Sequence, residues 1–165
     1  MKIWLLALGE PIHTELEGEA RLHRCGNLAD LLAKRGHDVT WWTSNMDHVK
    51  KTSRSDSYKR IKISDNLHIN ILPAPLYKRN VSLKRIRHNV VSAQQFNEEA
   101  SKMDAPDILV CAFPTIELSK AATDFGKKTN TPVIVDVRDF WPDIITELAP
   151  KLLHVLAKLP LKLLY

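Results

Sequence analysis

The densest chemistry in the chain lies in Pro132-Val133-Ile134-Val135-Asp136-Val137-Arg138-Asp139-Phe140-Trp141-Pro142-Asp143. An apolar run that ends in Asp, Arg, Asp and Trp reads as a buried parallel strand whose carboxyl end is used for binding or chemistry. Ligands of open α/β sheets sit at that end of the strands. Alternation along the strand puts Asp136 and Arg138 on one face. Asp139 and Trp141 then fall in the loop beyond. A carboxylate there accepts hydrogen bonds from sugar hydroxyls, and a Trp face stacks on the apolar face of a sugar ring. A buried Asp136–Arg138 pair that merely pins the loop is the competing reading, and Asp139 is the stronger candidate for ligand contact.

A second constellation follows the first apolar run. Gly9-Glu10-Pro11-Ile12-His13-Thr14-Glu15-Leu16-Glu17-Gly18-Glu19-Ala20-Arg21 is a glycine-bearing loop leading into a helix. Such loops hold phosphates, because free backbone N–H groups and the helix dipole converge there. The spacing is not G-x-G-x-x-G, and the chain has no Walker A sequence. Four glutamates in the loop repel a bare phosphate; Arg21 and Arg24 in the following helix offset them. His13 is placed to touch a ligand. Gly18 as a plain turn residue and Arg21 as a surface cation are the alternative.

A third cluster is basic. Lys84, Arg85, Arg87 and His88 occupy the first turns of a long helical pattern, where cations oppose the helix dipole by a few tenths of a kcal/mol each. At so small a cost drift explains them, and a patch that docks phosphate groups or an anionic leaflet is the competing reading. Between Asn45 and Val90 eleven Lys/Arg face three Asp/Glu, a local balance of +8, against −3 for the remainder and +5 overall. An anionic partner follows from that asymmetry, although Lys50 to Lys62 taken alone reads as a solvated loop. The patch lacks interleaved aromatics and any helix-turn-helix, zinc or RNA-binding signature, so nucleic acid is not expected. The seven histidines are scattered, with no metal-ligand spacing. No G-x-S-x-G elbow is present.

The elements that must position these groups alternate. Strands are expected over Ile3–Leu8, Val39–Thr43, Leu67–Leu72 (halted by Pro73 and Pro75), Asp107–Phe113 and Val133–Val137. Helices are expected over Glu19–Arg35, with a seam of Leu22, Cys25, Ala29 and Leu32 and a stop at Gly36, over Ser82–Met103, and from Pro114-Thr115 to about Lys128. The second helix's seam is Leu83, Ile86, Val90, Ala93, Phe96, Ala100 and Met103. Ser44–Arg60 reads as a long loop. Apolar strands separated by crossover helices give an α/β fold, a doubly wound and mainly parallel sheet.

The 165 residues, 44% hydrophobic and 26% charged, suffice for one globular domain. Cys25 and Cys111 fit a reduced, cytoplasmic setting. Met1–Leu8 is too short to span a bilayer, and Glu10 cuts it short of a secretory core. Leu152 to Tyr165 is apolar with spaced lysines and is broken by Pro160. It reads either as an interfacial membrane element or as an inter-domain helix cut by truncation, two readings that are compatible.

Lys2-Ile3-Trp4-Leu5-Leu6, the loop to Arg21, and Leu28-Ala29-Asp30-Leu31-Leu32-Ala33-Lys34-Arg35-Gly36-His37-Asp38-Val39-Thr40 together resemble the N-terminal half of a family 4 glycosyltransferase. Trp41-Trp42-Thr43-Ser44 and Asp136-Val137-Arg138-Asp139-Phe140-Trp141-Pro142 narrow the resemblance to bacterial surface-polysaccharide transferases of the amino-sugar type. The resemblance covers essentially the whole chain.

It implies one half of a GT-B fold, in which two Rossmann-like domains face each other across a cleft. The N-terminal domain binds the acceptor. The C-terminal domain binds the nucleotide-sugar and carries an E-x7-E element. Residues 1–150 are expected to form the Rossmann-like N-terminal domain and 151–165 the start of a linking segment, with the donor-binding domain absent and supplied in cis or trans. By the same analogy Gly18 and Glu19, with His13 and Arg21 in their loop, lie near the donor phosphates, while Asp139 and Trp141, supported by Arg138, line the acceptor side. The implied reaction is retaining, with a front-face mechanism that needs positioning and charge stabilisation. No catalytic side chain is assigned, and no cofactor is expected beyond the nucleotide-sugar as co-substrate. Expected partners are a lipid-linked glycan acceptor and an anionic membrane surface, met peripherally at the inner membrane face. The alternative is a non-catalytic Rossmann- or flavodoxin-like module that binds a phosphorylated small molecule or a partner protein.

Overall fold

The computed structural model describes residues 1–16, 21–80 and 82–138. Six strands form a single sheet: β1 (Lys2–Leu6), β2 (Asp38–Ser44), β3 (Lys59–Ser64), β4 (Leu67–Leu72), β5 (Ile108–Phe113) and β6 (Val133–Val137). Three helices cover it: α1 (Arg24–Lys34), α2 (Leu83–Ala100) and α3 (Ile116–Thr129). The strand order is β3-β4-β2-β1-β5-β6, and every pairing is parallel except β3 on β4. The architecture is a Rossmann-like α/β sheet. The chain moves outward from β1 to β2 and β4, then returns to the other side of β1 with β5. The reversal falls between β1 and β5, which is where such sheets open a crevice.

Each inner strand buries both faces, so its side chains split between two cores. Trp4, Leu6, Trp42 and Leu72 pack with Phe96 and Ala100 of α2 and with Leu118, Ala122 and Phe125 of α3. Ile3, Leu5, Val39, Trp41, Ile69 and Ile71 face Cys25 and Ala29 of α1. The first core is organised by edge-to-face aromatics: the Trp4 and Trp42 rings are 5.0 Å apart, and Trp42 and Phe96 are 5.2 Å apart.

The α1 stop at Gly36 is as expected. Gly36 adopts φ +82, its N–H bonds to the Ala33 carbonyl, and the His37 N–H bonds to the Leu32 carbonyl, the paired pattern of a Schellman ending. Ser82 caps α2, its hydroxyl accepting the Arg85 N–H at 3.2 Å.

Five expectations are corrected. First, Lys59–Ser64 is a strand, not the end of a solvated loop. Its Ile61 and Ile63 lean on the α1-side core while Lys59, Arg60 and Lys62 line the open edge, a charge pattern that protects an edge strand. Second, Arg54 is not solvated: its side chain is 4% exposed. Third, α1 begins at Arg24, so Arg21 precedes it in non-helical chain. Its first turn is set by Glu10, at the start of the loop that leads into it, whose carboxylate accepts the Cys25 N–H at 2.9 Å. Fourth, the α2 seam holds only from Ala93 onward. Leu83, Ile86 and Val90 are exposed (83%, 51% and 37%), while His88 and Ser92 turn inward. The first turns of α2 overhang the sheet rather than lie on it. Fifth, the Val133–Val137 strand, read as buried, is the other sheet edge and exposes Ile134, Val135 and Val137.

Candidate functional site

A cleft of about 230 Å³ opens at the carboxyl ends of the parallel strands. Its floor is Ala7 to Glu10 beyond β1 and Ala112 to Thr115 at the end of β5, the two strands that flank the reversal. His48, beyond β2, and Tyr77, beyond β4, form one wall; Arg85, His88 and Asn89 of α2 form another. Arg138, at the end of β6, closes the far side.

The far side is a chain of alternating charges. One Glu10 oxygen meets Arg138 Nη1, and the other accepts the Cys25 N–H at 2.9 Å. Arg138 Nε donates to Asp136 Oδ2 at 3.0 Å, and Arg24 Nη1 donates to the same carboxylate at 3.1 and 3.2 Å. Partial burial works against the Asp136 carboxylate, but hydrogen bonds from Arg138 and Arg24 outweigh it and hold its pKa below the ordinary range. Burial likewise opposes the Arg138 charge, and Glu10 and Asp136 more than restore it. The network ties β1, α1 and β6 together. It also occupies part of the α1 N-terminus, since Glu10 accepts the Cys25 N–H that a phosphate would otherwise engage. The same carboxylate, after burial, raises the Cys25 thiol well above its usual value.

The near side carries two histidines in opposite hydrogen-bonding states. His88 Nδ1 lies 2.9 Å from the Pro75 carbonyl, so Nδ1 is the protonated nitrogen and Nε2 the acceptor. His48 Nδ1 lies 2.8 Å from the Tyr77 hydroxyl and 3.3 Å from the Lys51 ammonium. An ammonium only donates, so His48 Nδ1 accepts and its Nε2 bears the proton. These tautomers are assigned from the partners. Burial, then the neighbouring cations Lys51 and Arg85, lowers the His48 pKa. Burial lowers that of His88 too, against the pull of the Pro75 carbonyl and with help from Arg85. Both rings are therefore neutral at pH 7, one offering a donor and one an acceptor. Burial raises the Tyr77 phenol, which keeps it protonated.

Two features hold this wall in place. Gly9 adopts φ +75, and a Cβ there would lie 2.9 Å from His48 Cβ, so only glycine lets the β1 loop pass beneath the ring. Arg54 uses all five of its N–H donors: on Glu15 Oε1 and Oε2 at 2.6 and 2.8 Å, and on the carbonyls of Ser44, Met46 and Glu10 at 3.1, 3.0 and 2.7 Å. That clamp fixes the loop after β2 against the loop after β1.

Of the residues singled out in the sequence, Arg138, Arg85 and His88 line the cleft. Lys84 and Arg87 are exposed on the outer side of α2. His13 is turned away: its Nε2 lies 2.7 Å from Asp30 Oδ1 on α1, and its ring meets Trp41 edge-on. Arg21 is exposed and outside the cleft lining. Gly18, Glu19, Asp139 and Trp141 lie outside the described residues. Glu10, His48 and Tyr77 went unrecognised as site residues, and His88 was read only as part of the basic patch. The signal that could have found them was position, since His48 and Tyr77 follow strands at their carboxyl ends and His88 sits one turn beyond Arg85.

Among the described residues no group of three or more His, Cys, Asp and Glu side chains forms a metal cradle. No helix among them is long and apolar enough to cross a membrane. Comparison with known proteins finds no matching family model and no matching curated relative.

Proposed function

We propose that this chain is the acceptor-binding half of a retaining glycosyltransferase, which moves a sugar from a nucleotide-sugar to a lipid-linked glycan. The observation that carries the reading is the cleft wall, with a neutral ring donor on His48, a neutral ring acceptor on His88 and the Asn89 amide beside them. A sugar hydroxyl both donates and accepts, so a fixed donor–acceptor pair orients it without charge. The cleft is smaller than the roughly 300–1,000 Å³ that enclose a whole drug-sized ligand. It suits a sugar ring better than a complete nucleotide-sugar. That division of labour fits a donor bound by a second domain.

The outer face of α2 supports peripheral docking on an anionic leaflet. Leu83, Ile86 and Val90 are exposed on it, with Lys84 and Arg87 interleaved and Lys78 and Arg79 just upstream. Arg85, His88 and Asn89 of the same helix line the cleft, so a glycan on a lipid anchor has a short path from the leaflet to the site.

Saturation-transfer NMR with the 165-residue chain and a panel of methyl glycosides, N-acetylated amino sugars included, tests the reading. Transfer to at least one glycoside, abolished by His88→Ala in a variant that retains its fold, is expected. No transfer to any glycoside overturns it.

A further inference from the structure

Lys51 and Arg85 form a pair of cations that nothing in the sugar reading uses. Lys51 sits at φ +57, a left-handed conformation that a lysine adopts only when its surroundings impose it. The turn is imposed locally. Asp47 Oδ1 accepts the N–H groups of Val49 and Lys50 at 2.7 and 2.9 Å, and the Asp47 carbonyl accepts that of Lys51 at 2.9 Å. The result aims the Lys51 ammonium across His48 and Tyr77 toward the start of α2.

Every acceptor that meets this ammonium is neutral: Asn80 Oδ1 at 2.6 Å, His48 Nδ1 at 3.3 Å and the Tyr77 ring face at 4.9 Å. Arg85 Nη1 donates to the backbone carbonyl of the same Asn80 at 2.9 Å. Asn80 therefore holds two cations together, one on its side chain and one on its backbone. Among the described residues neither cation has a carboxylate within ion-pair distance. Asp47, four residues before Lys51 in sequence, spends one carboxylate oxygen on its own turn. Like charges gathered on one amide raise the local potential unless an anion joins them. The rest of the cleft adds no excess charge, because Glu10 and Arg138 neutralise one another.

We propose that Lys51 and Arg85 receive a phosphate group carried by the ligand of the cleft. The ligand class is then a phosphorylated acceptor, its sugar against His48, His88 and Asn89 and its phosphate at the α2 mouth. The phosphate site is distinct from the α1 N-terminus, where Glu10 accepts the Cys25 N–H. The inference rests on the sugar reading only for what the rest of the ligand is.

The test is titration of inorganic pyrophosphate into the whole chain, followed by calorimetry and by the imidazole resonances of His48 and His88. Saturable binding is expected, weakened about tenfold or more by Lys51→Met and by Arg85→Gln, as loss of a charge-assisted hydrogen bond predicts. Lys51→Arg should largely restore it, and Lys102→Gln, far from the cleft, should leave it unchanged. A parallel arm uses phosphatidylglycerol vesicles against phosphatidylcholine ones. Pyrophosphate binding that needs Lys51 and Arg85 identifies the phosphate of a free ligand. Vesicle binding that needs them, without pyrophosphate binding, identifies a lipid headgroup as the source of the same phosphate. If neither depends on these two side chains, the site does not exist. Failure of every glycoside to bind leaves the pyrophosphate result standing, so the two readings fail separately.

Discussion

The Glu10 carboxylate joins Arg138 and the first turn of α1, one oxygen on the guanidinium and the other on the Cys25 N–H. Two segments 128 residues apart in the chain are closed into one rim by that side chain. Glu10→Gln keeps an acceptor for Cys25 but loses the ion pair; Glu10→Ala loses both. The expected cost is about 1–3 kcal/mol for Gln and larger for Ala, because the alanine also leaves a helix N–H without its acceptor while Arg138 keeps Asp136 in both variants. Urea unfolding of both variants, in a cycle with Arg138→Met, measures the coupling. Equal stability of the three proteins contradicts the keystone role.

Arg54 supports the opposite loop in the same way. With its side chain 4% exposed and five hydrogen bonds to make, Arg54→Ala should destabilise the protein by about 3–5 kcal/mol. Arg54→Lys should recover little, since an ammonium does not reproduce the guanidinium fork. Chemical denaturation of both variants gives the answer. A lysine variant as stable as the parent contradicts it.

Much of this fold was legible in the sequence. Apolar runs marked β1, β4 and β6 to within a residue or two, and Gly36 marked the end of α1. β3 was hidden because Lys59, Arg60 and Lys62 make half of it look like loop, although its period-two alternation was present. The first turns of α2 misled in the other direction. Leu83, Ile86 and Val90 repeat at helical spacing, yet they face outward, and periodicity reports that a stripe exists without saying what covers it. The cleft was the least legible part. His48, Tyr77 and His88 come from separate loops and a helix, and only the strand order brings them together. Glu10 read as a repulsive charge because its partner Arg138 lies at the far end of the described chain.

Gly9 offers a direct probe of the cleft wall. Gly9→Ala combines the left-handed backbone penalty with a methyl 2.9 Å from His48 Cβ. We expect a loss of about 1–2 kcal/mol from the backbone alone, and a displaced His48 ring. The imidazole chemical shifts of His48 should move while those of His37, in the turn before β2, at the end of the strand away from the cleft, stay put. Loss of glycoside binding in a folded Gly9→Ala protein would follow from the same displacement.

Acid should loosen the protein in a defined window. His48, His68 and His88 all have pKa values lowered by burial from the ordinary 6.5. Below that value the unfolded chain takes up protons that the folded chain refuses, so stability falls as pH falls. The contribution is complete above about pH 6.5 and is lost progressively below it as pH drops through the folded values. Melting temperatures measured from about pH 7.5 down to about pH 5 should decline, and NMR titration should place the His48 and His88 rings below the free-histidine value. A ring that titrates above it contradicts the neutral donor–acceptor pair on which the sugar reading depends.

The overhanging start of α2 makes membrane docking measurable. Three exposed apolar side chains, Leu83, Ile86 and Val90, lie on one helix with Lys84 and Arg87 between them. Each basic residue near an anionic surface contributes about 1 kcal/mol, screened within a Debye length, and the apolar contacts add a component that salt does not screen. Sedimentation with phosphatidylglycerol vesicles should therefore show two separable losses. Leu83→Gln with Ile86→Gln should weaken binding at every salt concentration, whereas Lys84→Gln with Arg87→Gln should weaken it at low salt and matter little at high salt. Both pairs lie on the solvent face, so the fold should tolerate them within about 0.5 kcal/mol. Vesicle binding that neither pair disturbs would place the contact elsewhere on the chain and remove α2 from the path between leaflet and cleft.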